Sequence, residues 1–234
     1  MLLKTILFFG LILSPLSSKE PLTIDPIEVI KLKFISEPSG ISCSEDYCVI
    51  VSDDGKMFNY DYFSRKISRI NFQGEDLEGV YTTNQNIFVL EERSRKVEKF
   101  DRLYNHIQTY NVPYNGRLNR GYEGITFNPE SNRFIIVTET NPCMLVELNE
   151  FFEIQKKKQL DINELSDITY YQNKYWLLSE QDHCIYVVNP INYETEKIFN
   201  INLLGAEGIC FFDQKLLITS DKLSKLYIYE IPKL

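Results

Sequence analysis

Short apolar runs separated by polar turns repeat along this chain, without the 3.6-residue recurrence of an amphipathic helix over any useful length. One unit reads Gly124-Ile125-Thr126-Phe127, a turn over 128–132 containing Pro129, and a second run from Arg133 to Val137. An acid and a loop follow, then two more strands at Met144–Leu148 and Glu153–Leu160. The same order occurs five times, opening on Ser39-Gly40-Ile41, Glu78-Gly79-Val80, Glu123-Gly124-Ile125, Ser166-Asp167-Ile168 and Glu207-Gly208-Ile209. Anchors at 40, 79, 124, 167 and 208 are 39, 45, 43 and 41 residues apart. A period near forty made of four short strands predicts an all-β fold, a five-bladed β-propeller. The fifth repeat supplies three strands, Gly208–Phe212, Lys215–Thr219 and Lys225–Ile231, so the N-terminal run Ile27–Phe34 is expected to complete that blade and close the ring. This closure also covers two sheet edges. Six blades is the alternative, if the irregular stretch 104–119 holds a partial blade.

The register of the acids adds chemistry to this pattern. Asp53, Glu92, Glu139, Glu180 and Asp221 follow their anchors by 13, 13, 15, 13 and 13 residues. In an antiparallel hairpin the start of the first strand and the end of the second share one end. With the first strand innermost, Glu78, Glu123 and Glu207 rim the central channel, and the other five acids form a second ring outside them. Neighbouring cations are few: Arg93, Arg120 and Lys222. Eight converging carboxylates repel one another unless something positive intervenes. Calcium, which takes six to eight oxygen ligands at flexible geometry, suits such a ring better than zinc does. The competing expectation is structural, with the second-ring acids accepting backbone N–H bonds from the next blade. His183, close after Glu180 and Asp182, is a candidate proton carrier; Tyr122 and Trp176 are expected to pack. No GxSxG, HExxH or phosphate-cradling glycine loop occurs.

Bulk properties narrow the classes. A net charge of −8 and a pI near 5.0 disfavour a nucleic-acid partner, which needs a concentrated basic face. Lysine at 4, the apolar stretch Ile6–Leu13 and the small residues Ser14-Pro15-Leu16-Ser17-Ser18 read as a signal peptide over 1–18, leaving 19–234 as a single domain. Export in a bacterium implies the periplasm or cell envelope; an uncleaved segment would instead anchor the protein, and peripheral membrane association belongs to the same picture. A monomer is expected. Of the five cysteines, Cys43 and Cys48 flank a four-residue turn that suits a hairpin-closing disulfide in an oxidising compartment; Cys210 reads as a buried thiol.

The order of the anchors, with Asp76-Leu77-Glu78, Gly121-Tyr122-Glu123-Gly124-Ile125 and Ala206-Glu207-Gly208-Ile209, resembles the SdiA-regulated (YjiK-like) family of bacterial exported β-propellers over roughly 27–231. The resemblance implies an envelope-associated propeller that binds calcium and has no established activity. Asp167 departs from the glycine usual at that anchor. Two functional expectations follow. One is a non-enzymatic protein whose acidic mouth holds a metal and recruits a small ligand or an envelope protein. The other is a metal-dependent hydrolase, phosphoesterase (phytase-like) or lactonase, drawing on Glu78, Glu123, Glu207 and His183.

Overall fold

A computed structural model describes residues 21–113, 121–140 and 142–234. The 1–18 signal segment and Arg120 lie outside the described residues. Twenty-one strands and no helix occur among them. Two short N-terminal strands, β1 (Leu22–Ile24) and β2 (Glu28–Lys31), precede five repeats. Blade one contains β3 (Pro38–Cys43), β4 (Cys48–Ser52), β5 (Lys56–Asp61) and β6 (Lys66–Gln73). Blade two contains β7 (Leu77–Thr82), β8 (Asn86–Glu91), β9 (Lys96–Asp101) and β10 (His106–Asn111). Blade three contains β11 (Tyr122–Asn128), β12 (Arg133–Thr138), β13 (Met144–Leu148) and β14 (Ile154–Gln159). Blade four contains β15 (Asp167–Tyr171), β16 (Lys174–Ser179), β17 (Cys184–Val188) and β18 (Thr195–Ile201). Blade five contains β19 (Ala206–Phe212), β20 (Lys215–Ser220) and β21 (Lys225–Glu230).

The fourth strand of blade five is β2, antiparallel to β21 with Glu28 opposite Ile228, so the ring closes through the N-terminal segment. The closing strand is shorter than the apolar pattern from Ile27 to Phe34, because the backbone turns out of the sheet and Phe34 takes a positive φ of 71°. An ion pair in which Arg65 Nη2 of blade one donates to both carboxylate oxygens of Glu28 spans the closure. The ring has five blades, not six: part of the irregular stretch is β10, the outer strand of blade two. One strand was not expected, β1, which pairs in parallel with β18 and covers the edge of blade four.

The core is divided among the blade interfaces. Successive side chains of a strand point to opposite faces, so Leu216 and Ile218 pack with Trp176 and Phe199 of blade four. Their neighbour Leu217 faces Ile41, Ile50 and Tyr60 of blade one. Three further clusters fill the remaining interfaces. Strands covered on both faces read as unbroken apolar runs such as Cys48–Val51. Outer strands such as β14, with Lys156, Lys157 and Lys158 exposed, alternate weakly. The Cys43–Cys48 disulfide closes the β3–β4 hairpin, and Cys143, Cys184 and Cys210 are buried thiols.

Candidate functional site: an acidic cavity at one end of the axis

The innermost strands β3, β7, β11, β15 and β19 contact one another around a closed ring. Their approach is close enough to require glycine at most anchors. A Cβ on Gly79 would lie 2.8 Å from the Glu123 carbonyl oxygen and 3.1 Å from the Gly124 Cα; one on Gly208 would lie 2.9 Å from the Gly40 Cα. Such separations exclude a side chain. Blade four breaks the rule with Asp167. Its carboxylate turns across the axis, accepting the Ile168 amide at 2.7 Å and, from blade five, the Ile209 amide at 2.8 Å.

Beside the anchors the pairing slips, between Pro38 and Gly40, Leu77 and Gly79, Tyr122 and Gly124, and Ala206 and Ile209. A bulge re-aims the side chain it carries, and Ser39, Glu78, Glu123 and Glu207 fall within these bulges. The second acidic ring is brought alongside by backbone bonds. The amides of Asp53, Glu92, Glu139 and Asp221 donate to the carbonyls of Glu37, Asp76, Gly121 and Gly205, three residues before their anchors, at 3.0–3.3 Å.

The result is a cavity of about 240 Å³ lined by Asp53, Glu78, Glu123, Glu139, Glu164, Ser166, Glu180, Gln181 and Glu207. Six of the eight acids expected from the spacing are in its wall. The other two stand close: Glu92 offers a carboxylate oxygen in one group with Glu123 and Glu139, and Asp221 acts on Glu207 through its charge. No Lys or Arg lines the cavity among the described residues. Lys222 is paired with Glu180, and Arg93 with Asp76 at 2.7 Å.

Hydrogen bonding divides the two rings. In the outer ring, Glu92 accepts the Gly121 amide of the next blade at 2.6 Å and Glu180 pairs with Lys222 of the next blade. These are interblade latches. Of the inner positions, the serines also latch: Ser39 donates to the Leu77 carbonyl and Ser166 to the Ala206 carbonyl at 2.7 Å. Glu78, Glu123 and Glu207 have no hydrogen-bond donor among the described residues, although Glu123 is only 9% exposed. Burial, and then repulsion by neighbouring carboxylates, holds all three well above the usual carboxylate range. Burial likewise raises Asp53 to about 6 and Glu92 to about 7. One Asp53 oxygen is buried with no hydrogen-bond partner.

Donor geometry fits a hard cation. Oxygens of Asp76, Glu78 and Glu92, and of Glu92, Glu123 and Glu139, form two groups whose members lie within 4.8 Å of one another. Ligands at about 2.4 Å from a calcium ion are separated by no more than about twice that. Glu92 belongs to both groups, whereas Glu207 lines the cavity outside either. Asp76 and Glu164 were not among the expected residues. They occupy a third register, three before the anchor, which also holds Glu37, and that recurrence is the signal that would have found them. Where the register has Gly121 and Gly205 instead, a Cβ would collide with Glu92 and Asp221.

His183 stands outside the cavity wall, exposed, with Nδ1 3.2 Å from the Leu203 carbonyl oxygen. Its amide donates to the Glu180 carbonyl and its φ is 50°. Arg95 and Ser224 make the same turn, three residues after Glu92 and Asp221. The position is thus a turn position of the repeat. Tyr122 and Trp176 are buried in interblade clusters.

Residues 49–234 match the SdiA-regulated family. The chain belongs to the SdiA-regulated family. No curated protein matches its sequence significantly. Among solved structures, Myxococcus xanthus glutaminyl cyclase is similar with a TM-score of 0.71 at 11% identity, over 91% of this chain and 100% of that one. A streptogramin B lyase matches with a TM-score of 0.54 at 18% identity, over 88% of this chain and 73% of that one. A chain of a nidogen/laminin complex matches with a TM-score of 0.61 at 12% identity, over 83% of this chain and 76% of that one. At these identities the likeness is one of fold. No helix among the described residues is long and apolar enough to cross a membrane.

Proposed function

We propose that this SdiA-regulated propeller is an exported calcium-binding protein of the cell envelope, whose acidic cavity holds the ion and recruits a small ligand or an envelope protein through it. The observation that carries the reading is Glu123: a nearly buried carboxylate with no hydrogen-bond donor among the described residues, grouped with Glu92 and Glu139 and facing a cavity that none of the described cationic side chains lines. Such a charge is costly in a protein interior unless it is neutralised, and a bound divalent ion would do so. Glu78, Glu92, Glu123 and Glu139 would hold it, with Asp76 beside them. An all-oxygen donor set favours calcium or magnesium over zinc.

The hydrolase alternative draws less support. The one hydroxyl in the cavity wall among the described residues, Ser166, is engaged with the Ala206 carbonyl, and His183 lies outside the wall. Glutaminyl cyclase and streptogramin B lyase are enzymes by name, but their likeness is to the fold. Calorimetric titration with calcium tests the proposal: saturable heat and a raised melting temperature are expected, and neither appearing removes the ion. A panel of phosphate esters and lactones should stay silent with and without calcium. Turnover abolished by Glu123→Gln would establish the hydrolase instead.

A further inference from the structure

The inner strands that start at the acidic cavity end at a second cavity, of about 920 Å³. Gly124 and Phe127 are three residues apart on β11, so the two sites are separated by roughly 10 Å along the axis at about 3.3 Å per residue. This volume lies in the range of small-molecule sites, and its walls are aromatic. Tyr171 and Phe211 stack with centroids 3.9 Å apart at 12°, and Tyr81 and Phe127 with centroids 6.2 Å apart at 29°. These four rings and Phe212 come from the ends of β7, β11, β15 and β19. All five are only partly buried, whereas the aromatic rings between the blades, such as Trp176 and Phe199, are fully covered.

The rim supplies the second criterion. Glu45, Glu150 and Asp213 line it, exposed and in no ion pair among the described residues. Its one cation among the described residues, Lys99, lies 5.6 Å from the centroid of the Phe88 ring. Three negative charges against one positive, beside partly exposed aromatic rings, favour a positively charged guest, because ring quadrupoles and carboxylates attract cations in the same sense. An anionic guest would meet repulsion at the rim, and a neutral one would leave the rim unused. We propose that this aromatic bowl is a binding site for a small organic cation with a flat apolar body, an aryl or alkyl quaternary ammonium or a lipophilic amine. It is independent of the calcium cavity and of its fate.

The chain's single tryptophan is a built-in reporter. The Trp176 indole N–H donates to the Tyr171 carbonyl at 3.1 Å, and its ring meets Phe211 edge-on at 4.9 Å. Benzyltrimethylammonium, its neutral isostere neopentylbenzene and benzoate are titrated into the full chain, read by Trp176 fluorescence and by calorimetry. The cation should shift the emission saturably and bind about tenfold more tightly than the neutral isostere, the scale of a desolvated cation–π contact; benzoate should not bind. Tyr81→Leu, remote from the reporter, should weaken the cation severalfold. The triple variant Glu45→Gln, Glu150→Gln, Asp213→Asn should weaken it and flatten its salt dependence. Calcium at saturation should leave the affinity unchanged. Equal affinity for cation and neutral isostere, preference for benzoate, or no saturable response from folded protein would overturn the proposal. So would binding that survives Tyr81→Leu but is displaced by calcium, which would place the cation in the acidic cavity.

Discussion

Asp167 and Glu123 sit on neighbouring inner strands, β15 and β11, and the Asp167 carboxylate lies where a Cβ on Gly124, the residue after Glu123, would collide with it. Both are carboxylates at least nine-tenths buried, and burial pushes both well above the usual range. Their partners separate them. Asp167 accepts two backbone amides, one of them from the next blade, whereas Glu123 accepts none among the described residues and is repelled by the carboxylates of Glu92, Glu139, Glu207 and Glu164. Burial and a raised pKa therefore do not by themselves distinguish a structural carboxylate from a ligand-binding one. The account of donors does.

The largest test of this contrast is Asp167→Ala. It leaves the buried Ile209 amide without its acceptor and opens space where blades three, four and five meet. A stability loss of about 2–5 kcal/mol is expected in denaturant unfolding, the usual consequence of stranding a buried polar partner in a packed interior. Calcium affinity should fall far less than stability. A loss below about 1 kcal/mol would show that the two amides do not hold the blades together.

Next in size is the dependence on pH. Unfolded carboxylates titrate near 4, but burial raises folded Asp53 to about 6 and Glu92 to about 7, and holds Glu78, Glu123 and Glu207 well above the usual carboxylate range. Between those values the folded chain holds more protons than the unfolded one, so stability falls as pH rises. The contribution is complete below about pH 4 and is lost as pH climbs through the folded values. Metal-free protein should therefore melt several degrees lower at pH 7.5 than at pH 5. Calcium competes with those protons, so its stabilising effect should be small at pH 5 and large at pH 7.5. A metal-free melting temperature that rises over this interval would show that the cavity acids are ionised without cost.

How far these features were legible in the sequence follows from what repeats. The blade number, the N-terminal closure and the gathering of acids depend on spacing, and spacing is visible as the recurrence of Glu-Gly and of an acid thirteen residues on. The grouping within the cavity depends on bulges and on one-residue choices. Nothing in Glu78, Glu123 and Glu207 as letters separates Glu207 from the two that share oxygen groups with Asp76, Glu92 and Glu139. His183 is bonded through its amide to the Glu180 carbonyl, yet the turn at positive φ sets its ring against the Leu203 carbonyl and outside the cavity wall, which nearness in sequence to Glu180 does not foretell. The aromatic bowl was hidden for a related reason: an inner-strand aromatic such as Phe127 is written like a core residue, and only its partial burial in the cavity wall sets it apart. The parallel strand β1 has no pairing signal of its own in Leu22–Ile24.

Glu123→Gln probes the carboxylate that lacks donors among the described residues. Removing such a buried charge should stabilise the metal-free protein at pH 7.5 by about 1 kcal/mol, a rise of about 2–4 °C for a chain of this size. The same change should weaken calcium by about tenfold or more, since a carboxylate oxygen is exchanged for a neutral one. Stability and affinity moving in opposite directions is the signature of a residue held for a ligand. If Glu123→Gln destabilises the metal-free protein, Glu123 is a latch like Asp167.

The smallest effects belong to Ser39 and Ser166, which occupy the inner-ring position where the other three repeats have glutamate. Each hydroxyl donates to a carbonyl of the next blade, Leu77 or Ala206, so Ser166→Ala should cost about 1 kcal/mol, the net worth of one buried hydrogen bond. Because the Ser166 hydroxyl is engaged there, although the residue lines the cavity, calcium affinity should be unchanged within error by titration. A substantial drop in affinity with little loss of stability would make Ser166 part of the ion's shell. The inner ring would then act as one continuous ligand set, and its division into two latches and three free carboxylates would fail.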